Sequence, residues 1–131
     1  MSDQASGNGF PLKDYLGFDL VEDEPGRVVA TMELTERHLS PKGPVHGGVL
    51  FVLVATAMGK ATAGVVTDGR TCASIELSAR YLRPVETGRL VAEVTVLRAG
   101  RRIVHLEGRV RCEGDDRPVA VMTGSFAVID P

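Results

Sequence analysis

The sequence predicts an α+β fold: a curved antiparallel β-sheet wrapped around one long central helix. Three observations point to it. Residues Gly47 to about Gly64 are Val, Leu, Ala, Met and Gly on nearly every side, with Lys60 the only formally charged side chain, which is the composition of a buried helix. Four strand-like segments follow, joined by short turns, and consecutive strands so joined form an antiparallel meander. One more alternating segment precedes the helix. A helix that apolar needs a sheet to cover it.

The elements follow in order. Residues 1–9 are small and polar and read as a frayed tail, leaving 10–131 as one domain. Pro11 to Gly17 suits a short helix, with proline near its first position and glycine just past its last. Glu24-Pro25-Gly26 is a turn signal. In Arg27–Leu34, the residues Val28, Ala30, Met32 and Leu34 share one face, as in a half-buried strand. Thr35–Val45 contains Ser40-Pro41-Lys42-Gly43-Pro44 and is expected to be irregular. The long helix follows, roughly 25 Å at 1.5 Å per residue. Thr71–Arg83 sets Ala73, Ile75, Leu77, Ala79 and Tyr81 in phase, and Arg89–Arg98 does so with Leu90, Ala92, Val94 and Val96. Ile103–Cys112 alternates Val104, Leu106, Val110 and Cys112 with polar neighbours, and Pro118–Ile129 is apolar on both faces.

Composition removes several function classes. Fifteen Lys and Arg against seventeen Asp and Glu leave a net charge of −2, the wrong sign for a surface that neutralises phosphates. With no Trp, two Tyr and four Phe, a base-stacking platform is not expected, so nucleic acid is not an expected partner. Two cysteines forty positions apart suit a reducing compartment. The N-terminal residues lack an apolar core of a signal peptide, and Val49–Gly59 is too short to cross a bilayer. The expectation is a cytoplasmic protein with no membrane partner. No His/Cys/Asp/Glu spacing suits a metal, and no Gly-x-Ser-x-Gly, Gly-x-Gly-x-x-Gly or Walker pattern occurs.

The most specific local feature is His46-Gly47-Gly48 at the start of the long helix. Two glycines there leave backbone N–H groups uncovered at the positive end of the helix, where they can hold an anion or a developing oxyanion. The same glycines also suit a tight turn needing close packing. The Arg98, Arg101, Arg102 turn reads either as a phosphate contact or as an ordinary exposed basic turn.

His-Gly-Gly opening a buried helix, then Tyr81-Leu82-Arg83-Pro84, Gly88-Arg89-Leu90 and Val-Leu-Arg-Ala-Gly-Arg-Arg, resembles the hotdog-fold acyl-CoA thioesterases of the phenylacetate-degradation (PaaI-like) type. The likeness spans about residues 12 to 129. It implies an acyl-CoA substrate, no cofactor beyond the substrate's own coenzyme A, and a homo-oligomer, dimer or tetramer, with the active site at the dimer interface. It further implies that the Gly47 N–H meets the thioester carbonyl, beside Gly48, while His46 shapes the turn. Ser40 occupies the place of an Asn or Gln that orients the thioester or the water. Ser74 is placed to hold the water, and Phe51 with Leu50, Val54 and Met58 to line an acyl pocket. Arg83, Arg101 and Arg102 are implied contacts for the coenzyme A phosphates.

One departure stands out. The family's Asp or Glu, nine positions after the motif histidine, falls on Ala55 here. Thr56 beside it is a weak base. The nearest acid is Glu76, which strict alternation would put on the same face as Ser74, where it either substitutes as the base or points to solvent as strand glutamates more often do. The resemblance thus implies either a thioesterase lacking the usual helix carboxylate or an acyl-CoA-binding protein with weak or no turnover.

Overall fold

A computed structural model describes residues 9–131, so the expected tail lies outside the described residues except for Gly9. The elements are α1 (Pro11–Leu16), β1 (Phe18–Glu24), β2 (Arg27–Glu33), a 3-10 turn (Glu36–His38), α2 (Gly47–Ala63), β3 (Thr71–Tyr81), β4 (Arg89–Ala99), β5 (Ile103–Cys112) and β6 (Pro118–Ile129). All six strands form one antiparallel sheet in the order β1-β2-β4-β5-β6-β3. The sheet packs its inner face on α2, as expected of an α+β hotdog fold.

The core lies between them. Leu53, Val54, Ala57, Met58 and Ala61 of α2 have no exposed surface, and Val28, Ala30, Leu90, Val94, Leu106 and Val110 meet them from the sheet in the same condition. Each fully buried Leu or Val contributes about 1.5–3 kcal/mol, so this helix–sheet layer dominates stability. The outer face carries charge instead. Arg27 and Arg111 both approach Glu93, at 3.3 and 3.9 Å, while Arg89 lies 3.9 Å from Glu33.

Four expectations change. A strand at Phe18–Glu24 was not expected, because only Phe18 and Leu20 alternate before the acidic run Glu22-Asp23-Glu24; it pairs with β2 from Phe18↔Met32 to Glu24↔Arg27. The meander holds only for β4-β5-β6. β3 crosses to the far edge and pairs with β6, while β4 pairs with β2. The helix is not buried on every side: Phe51, Val52, Ala55, Thr56 and Gly59 form a half-buried stripe along one face. Finally, β3 does not alternate throughout, because its ladder shifts register between Ser74 and Glu76, and Ile75 protrudes at 55% exposure.

Candidate active site

The site grows from the loop that feeds α2. Ser40 and Pro44 close a tight turn, with Ser40 N–H donating to Pro44 C=O at 2.7 Å and Gly43 N–H to Ser40 C=O at 3.0 Å. A bridge between Leu39 and Val45 zips the stem of this lobe. His46 N–H then donates to His38 C=O, and Val45 N–H to Val85 C=O, each at 2.8 Å. The chain therefore reaches α2 with fixed direction.

His46 is the N-cap of α2. Its Nδ1 accepts the Gly48 N–H at 2.8 Å, so the ring hydrogen sits on Nε2 and faces outward. Gly48 is thereby occupied. The Gly47 N–H has no protein acceptor among the described residues and lies at the positive helix end. Tyr81 explains why this position is glycine. Its hydroxyl donates to Gly47 C=O at 2.9 Å, and a Cβ on Gly47 would stand 3.1 Å from the ring. Val45, Gly47, Leu50, Tyr81, Leu82, Arg83 and Pro84 line an open pocket of about 340 Å³. Composition pointed to His46, Gly47 and Gly48. The sequence marked Tyr81 only as part of the Tyr81-Leu82-Arg83-Pro84 motif and gave no sign of its contact with Gly47, which joins positions 34 residues apart.

The other expected residues are distributed. Arg83 joins Gly47 in that pocket. Arg101 and Arg102 do not: they sit with Arg70 and Asp130 around a recess of about 30 Å³, where Arg70 donates to Arg101 C=O at 3.0 Å. Arg70 precedes β3 and Tyr81 ends it, so eleven residues, roughly 36 Å, separate the two groups. Ala55 is half-buried on the outward stripe of α2, eight residues or about 12 Å beyond Gly47. Phe51 lies on the same stripe. Leu50 lines the Gly47 pocket, whereas Val54 and Met58 are buried in the chain's own core.

Ser74 and Glu76 part company. Directly paired residues share a sheet face. Ser74 pairs with the core residue Phe126, but Glu76 pairs with Ser125 on the outer face. Ser125 Oγ lies 3.1 Å from His105 Nδ1, and Glu76, His105, Leu97 and Thr123 line a shallow outer pocket of about 390 Å³. The register shift is the physical reason, so the expectation that Glu76 shares a face with Ser74 is corrected.

The perturbed groups lie elsewhere. At the β5–β6 turn the Arg117 side chain, bonded to Asp115 at 2.8 Å, holds that carboxyl down to about 2. Burial pushes the Cys72 thiol up. Among the described residues, no cluster of three His, Cys, Asp or Glu is placed to hold a metal ion, and no helix is long and apolar enough to cross a membrane.

Comparison with known proteins agrees with this fold. The sequence model described as the thioesterase superfamily matches residues 42–119. A 1,4-dihydroxy-2-naphthoyl-CoA thioesterase 2 of Arabidopsis thaliana is 35% identical over 118 residues, covering 86% of this chain and 74% of that protein. A 1,4-dihydroxy-2-naphthoyl-CoA hydrolase of Listeria monocytogenes is 28% identical over 90 residues, 69% of this chain and 73% of that protein. The crystal structure of a Haemophilus influenzae thioesterase superposes with a TM-score of 0.86 at 27% identity, covering 98% of this chain and 88% of that one. A single-residue mutant of the phenylacetic acid degradation protein PaaI from Thermus thermophilus gives 0.81 at 27% identity, covering 90% and 98%.

Proposed function

Because the chain belongs to the thioesterase superfamily, we propose that it is an acyl-CoA thioesterase whose chemical step lacks the usual helix carboxylate. One observation carries the reading: a Gly47 N–H at the positive end of α2 without a protein acceptor among the described residues. That donor polarises the thioester carbonyl and stabilises the oxyanion formed when water adds. The carbonyl carbon gains the water oxygen, the C–S bond breaks, and the products are a carboxylic acid and coenzyme A thiol. Ser40 and Ser74 hydrogen-bond the water, and Arg83 meets the phosphates. The two relatives named for naphthoyl-CoA thioesters support a coenzyme A thioester as the substrate.

The working unit is a homo-oligomer. Ser74 lies seven residues from Tyr81, roughly 23 Å along β3, so it cannot meet Gly47 of its own chain. A second copy docked antiparallel along β3 supplies Ser74, Ala55, Arg101 and Arg102 to the first copy's Gly47.

Ala55 supports a second reading, an acyl-CoA-binding protein with little or no turnover. A positioned general base contributes on the order of 10²–10⁴ in rate. The test is thiol release from short-chain, medium-chain and aryl acyl-CoAs. Slow wild-type turnover that rises by about 10²–10⁴ in Ala55→Asp is the expected result. Tight binding with a silent wild type and an active Ala55→Asp identifies the binding protein. Silence in both, without binding, overturns the coenzyme A reading. Glu76→Ala leaves turnover unchanged on this geometry, and a loss would move the base to β3.

A further inference from the structure

We propose that His38, to which neither the resemblance nor the site chemistry gives a role, is the positioning residue that holds the His46-Gly47-Gly48 turn in place. The proposal rests on the reading of that turn as the acyl-binding site. Three observations carry it. Thr35, Glu36 and Arg37 are exposed, yet the His38 side chain is 1% exposed. Both its ring nitrogens are used: Nδ1 accepts the Thr35 N–H at 3.0 Å, and Nε2 lies 2.7 Å from Leu16 C=O. Since Nδ1 accepts, the ring is neutral and Nε2–H donates to Leu16. Its backbone C=O, finally, receives the His46 N–H at 2.8 Å.

The ring thus clips the loop to the junction between α1 and β1, and the carbonyl of the same residue fixes the N-cap of α2. Between them lies only the 39–45 lobe, closed on itself by the Leu39–Val45 bridge. Freeing the ring lets residue 38 swing, and its carbonyl moves with it. His46 then loses the bond that sets its ring against the Gly48 N–H, and the neighbouring Gly47 N–H loses its aim. A His38 that merely filled the core would affect the whole fold equally and would not single out this turn.

The experiment compares wild type with His38→Ala, His38→Asn and His38→Gln. Two signals are read at His46 by NMR: the exchange rate of its amide and the tautomer of its ring. Leu53 and Val94 amides serve as core references. In His38→Ala the His46 amide exchanges about tenfold faster or more, as loss of a buried hydrogen-bond pair predicts. Its ring loses the single Nε2–H tautomer, and the core references stay unchanged. His38→Asn, whose amide oxygen can take the Thr35 N–H, restores part of both signals. Affinity for a non-hydrolysable thioether analogue of acyl-CoA falls about tenfold in His38→Ala and recovers with the same variant.

An unchanged His46 in His38→Ala overturns the proposal, as does exchange that rises equally at Leu53 and Val94. If His38→Ala does not fold, His38→Asn and His38→Gln carry the comparison, and failure of all three to fold also overturns it. A wild type that binds no analogue while His46 still responds locally sinks the thioesterase reading and leaves the positioning role standing.

Discussion

At Gly47 the requirements of packing and chemistry coincide. A Cβ there would stand 3.1 Å from the Tyr81 ring and 3.3 Å from its hydroxyl, so a larger residue must push the ring away. Gly47→Ala is therefore expected to cost about 1–3 kcal/mol in denaturant unfolding and to raise KM for acyl-CoA, because the shifted ring tilts the peptide bearing the free N–H. Tyr81→Phe keeps the ring and removes only the bond to Gly47 C=O. It should cost no more than about 1 kcal/mol and change binding less than Gly47→Ala does. Equal effects of the two variants on KM would show that the hydroxyl, not the space, sets the turn. The residue types of the turn were legible in the sequence, since glycine pairs at a helix start have few uses. The face of Glu76 was not, because one extra residue in a ladder inverts everything beyond it, and no local pattern announces where that residue is placed.

Two sheet glycines set the depth at which α2 sits on the sheet. A Cβ on Gly108 of β5 would approach Val54 Cγ1 at 2.9 Å and Val94 Cγ2 at 3.2 Å. On Gly124 of β6 it would meet Met58 Sδ at 2.7 Å. The valines are stiff at χ1, whereas a thioether on three rotatable bonds moves readily. Gly108→Ala is expected to lower stability by about 1–3 kcal/mol, and Gly124→Ala by clearly less. Urea unfolding with unchanged slope measures both, and the reverse order would contradict this account of the contact. At this scale the sequence was informative wherever period and element agreed. Val104, Leu106 and Val110 of β5 are buried as their alternation requires. It was uninformative at β1, where Val21 is 59% exposed and an acidic run replaces the pattern. It also could not show that β3 belongs at the far edge. Pairing partners distant along the chain are chosen by the whole sheet, not by the segment.

For the whole molecule, the question is what covers the surface one chain leaves bare. β3 is an edge strand of eleven residues with no partner on one side among the described residues, and Ile75 protrudes from it at 55% exposure. An edge that long is a template for another strand unless it is blocked, and this one lacks proline or an inward charge. Beside it runs the half-buried stripe of α2 with Phe51, Val52 and Ala55. In the proposed homo-oligomer a second copy docked antiparallel would cover both, and the same two-fold would carry the Arg70 end of one β3 towards the Tyr81 end of the other. It would remove the separation of about 12 Å between Gly47 and position 55 that no single chain can close. The wild type should therefore sediment at twice the chain mass or a multiple of it at micromolar concentration. Ile75→Lys puts a charge where two edges meet, yet its site is exposed in the single chain, so folding should survive. The expected outcome is a folded monomer that has lost acyl-CoA binding and gains nothing from Ala55→Asp. If that monomer binds acyl-CoA as the wild type does, the site belongs to one chain, and position 55 is not where its missing base should be sought.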